Sequence, residues 1–334
     1  MKHSYKIDGF TYRLRPVTID DAQTVLDIRL EDAERNRYVH SVKNDVELEK
    51  QWIQNYYERQ GDFFFAVENK FTDETEGLIA IYNEKDGHAE WGRWTIRKNS
   101  LAATESVYLL YEAAFETIGL KELYCRTIVD NVSVVEFHKS AGLKFREIRK
   151  GLFELNGKEY DAVEQYLTAD DFENEIKDFL FEKSFALFKR NLKIYSGGIE
   201  FHHIGIACTA IEKDKRSFQM LGYSFESKCF EDDLQGVRGV FGTAKNQPRI
   251  ELLENLKDSN TLSPWLDKGV KMYHFGYLVN DIGRANLYLK KIGSKLISPL
   301  KDSVYFDGKI CFYMLKNMML IELMENLNDR KRKG

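Results

Sequence analysis

Ile250-Glu251-Leu252-Leu253-Glu254-Asn255-Leu256 returns 71 residues later as Ile321-Glu322-Leu323-Met324-Glu325-Asn326-Leu327. Upstream of each copy a histidine stands in an apolar run, His203 in FHHIGIAC and His274 in MYHFGYLV, each 48 residues before its glutamate. Gly205/Gly276, Gly222/Gly293 and Phe241/Phe312 keep the same offset. Repetition at a fixed period means that one supersecondary unit is used twice. Each copy reads as an apolar strand bearing the His, a helix ending at a glycine (AIEKDKRSFQMLG, DIGRANLYLKKIG), then two or three strands, the last bearing the Glu. Alternation places Glu251 with Leu253, opposite Ile250 and Leu252. A carboxylate on an otherwise apolar strand face needs a cation or hydrogen-bond donors, because an unpaired buried charge is costly. Each of the four residues taken alone reads as an ordinary strand residue. Their common offset makes His203, Glu251, His274 and Glu322 a candidate metal set, leaving two of six positions open on an octahedral divalent ion.

The runs HHIGIAC, QGVRGVF, IELLENL, SPWL, YHFGYLVNDI, DGKICF and LIELMEN resemble the vicinal-oxygen-chelate superfamily, and within it methylmalonyl-CoA epimerase and glyoxalase I, over residues 199 to 327. The resemblance implies paired βαβββ units around one divalent ion (Zn, Ni, Co, Mn or Fe), with His203, Glu251, His274 and Glu322 as its ligands. It also implies a metal-polarised substrate carbonyl beside a carbon that loses a proton. One position departs: Leu234 stands where the epimerases carry an acid before the QGV-like run. Asp233 is one residue off and would face the other side of a strand, which leaves Glu322 as a base and puts racemisation in doubt.

A chain of 334 residues with 43% hydrophobic content suggests two domains with ordinary cores. A formal charge of −4 offers no electrostatic reason for a nucleic-acid or membrane partner. The start, MKHSYKIDGFTYRLR, has no apolar signal region, and no apolar run nears the roughly 20 residues that span a bilayer. Cys125, Cys208, Cys229 and Cys311 are dispersed, as expected of reduced thiols in a cytoplasmic protein.

Between the halves lies TADDFENEIKDFLFEKSFALFKRNLKIYSGG, in which Phe172, Ile176, Phe179, Leu180 and Phe185 recur at helical spacing. Ser196-Gly197-Gly198 reads as a turn and a boundary. The expected domains are therefore 1–168 and 199–334, joined by a connecting helix and linker over 169–198 whose Phe stripe packs on one domain or between the two.

The first half begins as a strand and an Asp-capped helix in TYRLRPVTIDDAQTVLDIR, with a second helix near VELEKQWIQNYYERQ. Strands follow at DFFFAVENK, GLIAIYNEK and HAEWGRWTI, then a helix ending at Gly119, the strand ELYCRTIV, a helix stopped by Gly142, and two closing strands. This order resembles the GNAT acyltransferases over residues 11 to 168. Two segments carry the likeness. Arg97-Lys98-Asn99-Ser100-Leu101-Ala102 is similar to the family's R/Q-x-x-G-x-G/A loop, with Ser100 at the middle glycine, and implies that its amides hold the pyrophosphate of acetyl-CoA. Asn131-x-x-Val134-Val135-x-Phe137-His138-x-x-x-Gly142-Leu143 resembles N-x-x-A-x-x-x-Y-x-x-x-G-F, which implies Asn131 against the coenzyme. It puts His138 where a tyrosine commonly protonates the leaving thiolate. A histidine titrating near neutrality suits that task, and a packing residue of an amphipathic helix is the other reading. Glu90 stands where many GNAT enzymes place a strand acid near the acceptor, to take the amine's proton or orient the substrate. Arg29, Arg35, Asn36 and Arg37 fall near the family's acceptor-binding elements, and a solvated helix face explains them equally.

The fold class is thus α/β (α+β): an N-terminal GNAT fold with a mixed central sheet, and a C-terminal paired βαβββ vicinal-oxygen-chelate module. The expected function is acetyl-CoA-dependent N-acetyl transfer to a small molecule, a nucleotide-linked amino sugar of surface-polysaccharide pathways, with a metal-dependent isomerase- or epimerase-like second domain. The alternative is a protein N-terminal acetyltransferase with a non-catalytic, ligand-binding second domain. A homodimer is left open.

Overall fold

The computed structural model describes residues 2–306 and 308–326. Leu327, which closes the repeated motif, and residues 328–334, the end of the expected second domain, lie outside the described residues. The chain divides into two compact units, Met1–Arg190 and Asn191–Gly334.

In the first unit β1 (Ile7–Asp8), β2 (Tyr12–Pro16), β3 (Phe63–Asn69), β4 (Thr75–Lys85), β5 (His88–Ile96), β6 (Glu122–Ile128), β7 (Lys144–Leu155) and β8 (Lys158–Thr168) form one sheet, ordered β1-β2-β3-β4-β5-β6-β8-β7. The helices are α1 (Ala22–Leu30), α2 (Val46–Tyr57), α3 (Ala102–Glu112), α4 (Val132–Ser140), the short α5 (Ala169–Asp171) and α6 (Lys177–Tyr195). Asp45 starts α2 by accepting from the Glu47 and Leu48 amides. Helices cover both sheet faces, which is why FFFAV in β3 is continuously apolar. Phe65 and Val67 pack with Val107, Leu110 and Tyr111 of α3, while Phe64 and Ala66 pack with Val25, Ile28, Ile53 and Tyr56 of α1 and α2.

One pair in this sheet is parallel, β5 with β6, and it is registered only from His88–Glu122 to Glu90–Tyr124. Beyond Glu90 an extra residue bulges β5 against β4, and Arg93 takes a φ of +46°. The two strands part there, leaving a wedge in the middle of the sheet. The connecting helix packs its aromatic stripe on the first unit: Phe10 meets Phe181, Phe185 and Phe188, and Phe172 meets Tyr111 and Phe115. Phe179, expected in that stripe, is 46% exposed. The side chains around it turn to two different patches, the core and Phe10, and Phe179 falls outside both.

The second unit contains β9 (Glu200–Ala207), β10 (Ser224–Phe225), β11 (Phe230–Asp232), β12 (Val237–Thr243), β13 (Ile250–Asn255), β14 (Met272–Val279), β15 (Lys295–Asp302), β16 (Lys309–Met314) and β17 (Leu320–Glu325). Its helices are α7 (Ile211–Gln219), α8 (Ser263–Leu266) and α9 (Ile282–Lys291). The sheet order is β10-β12-β13-β9-β14-β17-β16-β15, with β11 on β12. The two repeats are joined through their histidine strands, which pair antiparallel with His203 opposite Gly276 and Gly205 opposite His274. The glutamate strands run parallel outside them, Glu251 beside Gly205 and Glu322 beside Gly276. Directly opposed residues share a sheet face, so all four side chains emerge on one face. Among the described residues no helix is long and apolar enough to cross a membrane.

Each glycine clears the space that the opposing imidazole fills. A Cβ on Gly205 would lie 2.1 Å from the His274 ring, and one on Gly276 would lie 2.1 Å from the His203 ring. Gly205→Ala or Gly276→Ala is therefore expected to cost about 1–3 kcal/mol by overpacking, measured by urea unfolding of the whole chain. A wild-type midpoint in both variants would show that the rings have room to move.

Candidate metal centre and candidate acyl-transfer site

The register brings the four repeat-related residues together. One ligand atom from each of His203, Glu251, His274 and Glu322 lies within 4.8 Å of all the others, and all four residues are buried. The two Nε2 atoms are 2.9 Å apart, with perpendicular rings. Glu251 Oε2 lies 3.1 Å from His203 Nε2, and Glu322 Oε2 lies 3.5 Å from His274 Nε2. Burial pushes the Glu251 carboxyl up to about 8, and burial plus the Glu251 charge holds Glu322 well above the ordinary carboxylate range. Burial, with Arg249 adding to it, takes His203 down to about 3; burial and His203 depress His274. Neutral imidazoles, converging carboxylates and a Glu322 Oε2 without a hydrogen-bond partner among the described residues suit a divalent cation.

The segment before the QGV-like run, where the epimerases carry an acid and this chain has Leu234, is not a continuous strand. β11 stops at Asp232, residues 233–236 form a turn, and Leu234 is 71% exposed. Asp232 itself is 1% exposed and accepts from the Gln235 amide and side chain. Its charge helps to raise both Glu251 and Glu322. The turn changes which residue faces inward, so counting strand alternation through Asp233 and Leu234 does not apply.

In the first unit the wedge between β5 and β6 opens a cavity of about 360 Å³. Trp91, Trp94, Cys125, Asn131 and His138 are among its walls. His138 is buried, and its Nδ1 lies 3.3 Å from both Cys125 Sγ and Thr127 Oγ1. Its Nε2 is buried without a hydrogen-bond partner among the described residues. Burial takes the His138 imidazole down to about 3, outside the near-neutral range expected from its residue type. Glu90 does not line the cavity, though its neighbours Tyr82 and Arg126 do. Its carboxylate meets Arg126 Nη1 at 3.2 Å and the Tyr82 hydroxyl at 3.4 Å, and burial raises it in spite of Arg126. The Arg97–Ala102 loop leads into α3, and acids engage its polar groups. The Lys98 amide donates to Glu31 at 2.8 Å, Lys98 Nζ lies 3.6 Å from Asp32, and Arg97 Nη1 lies 3.6 Å from Glu31. Of the four residues near α1, Arg29 lines the cavity, and Arg37 pairs with Glu34.

Residues 12–144 match the family described as acetyltransferase (GNAT) domain. Residues 202–312 match the glyoxalase/bleomycin resistance protein/dioxygenase superfamily. The chain joins a GNAT acetyltransferase domain to a glyoxalase-superfamily domain. Solved structures similar to the chain include FdhC in its apo form, titled a nucleotide-linked sugar GNAT, at 22% identity over 54% of this chain and 99% of that one, with a TM-score of 0.46. A GCN5-related N-acetyltransferase from Brucella melitensis is 16% identical over 56% and 86%, with a TM-score of 0.48. A chimera of the Vibrio cholerae spermidine N-acetyltransferase SpeG and hSSAT is 16% identical over 49% and 99%, with a TM-score of 0.45. A search of curated proteins returns no match.

In the glyoxalase-superfamily domain, wild-type protein is expected to carry one divalent ion per chain and Glu322→Ala to lose it, as read by elemental analysis. Stoichiometric metal in the variant would remove Glu322 from the set. In the GNAT domain, the unfolded chain protonates His138 near pH 6.5 and the folded one only near 3. The folded state therefore loses stability as pH falls through that window. Relative to His138→Gln, wild type should weaken by about 1.4 kcal/mol per pH unit between pH 6 and 4, as followed by urea unfolding. Parallel pH dependences would place a charged imidazole in the native state.

Proposed function

We propose that the chain is a bifunctional enzyme. Its GNAT domain transfers acetyl from acetyl-CoA to an amino group of a small metabolite, a nucleotide-linked amino sugar, and its second domain performs metal-dependent chemistry of the isomerase or epimerase class. The observation that carries the first activity is the β5/β6 wedge with His138 on its wall. Beyond Glu90 and Tyr124 the two strand edges no longer pair with each other, and buried backbone polar groups seek partners. The amide-bearing arm of acetyl-CoA can supply them while its phosphates reach the α3 terminus at Arg97–Ala102, displacing Glu31. Asn131, at the start of α4 and on the cavity wall, faces the same arm.

The amine attacks the acetyl carbonyl, forming C–N as C–S breaks; nitrogen loses one proton, and sulfur leaves as a thiolate that takes its proton from solvent. With Thr127 or Cys125 as donor to His138 Nδ1, the proton of the neutral ring stands on Nε2, the atom without a hydrogen-bond partner among the described residues. His138 then acts as a hydrogen-bond donor to the leaving thiolate, a role that needs no imidazolium. Glu90 takes the amine's proton by way of the Tyr82 hydroxyl, with Arg126 orienting its carboxylate.

In the second domain His203, Glu251, His274 and Glu322 would hold a divalent ion, which supplies Lewis acidity toward a substrate oxygen. Asp232 and Lys301 set the charge around Glu322, one raising and one lowering its carboxyl. A second reading of this domain is a ligand-binding module, supported by Leu234 standing at the position where the epimerases carry an acid.

Acetyl-CoA should bind the whole chain with micromolar affinity, roughly −8 kcal/mol by calorimetry. His138→Ala and Glu90→Gln should each lower kcat by about 10²–10⁴-fold with acetyl-CoA affinity nearly unchanged in Glu90→Gln. Full kcat in His138→Ala on the true acceptor would end its role, and no binding at millimolar acetyl-CoA would end the reading of the domain.

A further inference from the structure

Glu49 is a buried acid that the acyl-transfer chemistry leaves unused. It sits in the first turn of α2, lines the cavity and is 7% exposed. Its Oε1 has no hydrogen-bond partner among the described residues. The helix does not need it there, since Asp45 already caps α2. Burial raises its carboxyl above the ordinary range, and the opposing influence is Arg29, which lines the same cavity from the last turn of α1. Arg29 Nη2 donates to the His40 carbonyl at 2.8 Å. Arg93, another cation of the cavity, is committed to a bidentate pair with Asp62 at 2.7 and 3.0 Å. Trp52, Tyr38 and Tyr82 add aromatic surface to the walls.

One carboxylate, one guanidinium and flat aromatic faces complement a neutral polyhydroxylated ring. A hydroxyl donates to the carboxylate, another accepts from the guanidinium, and the ring's C–H face lies on an aromatic. We propose that Glu49 and Arg29 read hydroxyl groups of the acetyl acceptor, which makes Glu49 a specificity-determining residue for a sugar-class substrate. This rests on the amino-sugar reading above. An unpartnered buried carboxylate also costs the ligand-free fold stability, a cost often found where a site is preformed for a ligand.

The test uses the full chain, acetyl-CoA, UDP- and dTDP-linked amino hexoses, and spermidine as a cationic control. Glu49→Ala should raise KM for the sugar at least about tenfold, the worth of one charge-assisted hydrogen bond. Glu49→Gln keeps an acceptor oxygen in place and should raise it less. Acetyl-CoA affinity should stay unchanged in both, and Glu49→Gln should have a higher thermal midpoint than wild type when ligand-free. If wild type acetylates a sugar and Glu49→Ala leaves its KM unchanged, the role of Glu49 falls and the amino-sugar reading stands. Turnover of spermidine but of no sugar would overturn both, and Glu49→Gln as damaging as Glu49→Ala would then identify an ammonium site.

Discussion

Two antiparallel strands, each offering a histidine to the other's glycine, hold the glyoxalase-superfamily domain together at its polar centre. His203 over Gly276 and His274 over Gly205 bring two imidazole Nε2 atoms to 2.9 Å. The parallel pairing of each glutamate strand with the glycine of its neighbour adds a carboxylate from either side. A shift of one residue in any of these pairings would turn a ligand to the opposite face. The repeat therefore has to be exact in register, and the glycines are the price of letting two rings lie over a sheet.

The acetyltransferase domain gets its opening from a pairing that stops. β5 and β6 share three residue pairs and then diverge at the bulge around Arg93. A fully paired sheet would have filled the space now lined by Trp91, Trp94, Cys125 and His138. Ion pairs brace the rim: Arg126 joins Glu90 to Glu164, and Glu164 is also held by Arg146 and Arg149. These pairs are partly buried, so they position side chains more than they stabilise the fold.

Both sites carry buried ionisable groups whose burial disfavours the charged form. In the second domain Glu251 and Glu322 are pushed up and both histidines down; in the first, His138 is pushed down and Glu90 and Glu49 up. A fold selected for stability alone would avoid most of them. Buried groups of this kind cluster at functional sites, and here they gather on one sheet face of the second domain and in or beside one cavity of the first.

The sequence by itself determined the two-part architecture, the order of elements in each part, and the candidate metal quartet. All of these are periodic signals: alternation and helical spacing survive in one dimension because the backbone imposes them, and the 71-residue repeat because one unit is used twice. The aromatic character of the connecting helix was legible for the same reason, although Phe179 turned outward where the helix changes the patch it covers. Only the tertiary structure decided which acid beside the QGV-like run is buried, because a turn at residues 233–236 breaks the strand alternation and leaves Asp232 buried with Leu234 exposed. It also decided the environment of His138, since burial between Cys125, Thr127 and two tryptophans sets an imidazole's charge and its residue type does not. Glu49 gave no sign in the sequence beyond being one acid in the first turn of a helix. What distinguishes it is a missing partner, a property of the space around a side chain that exists only once distant segments have packed.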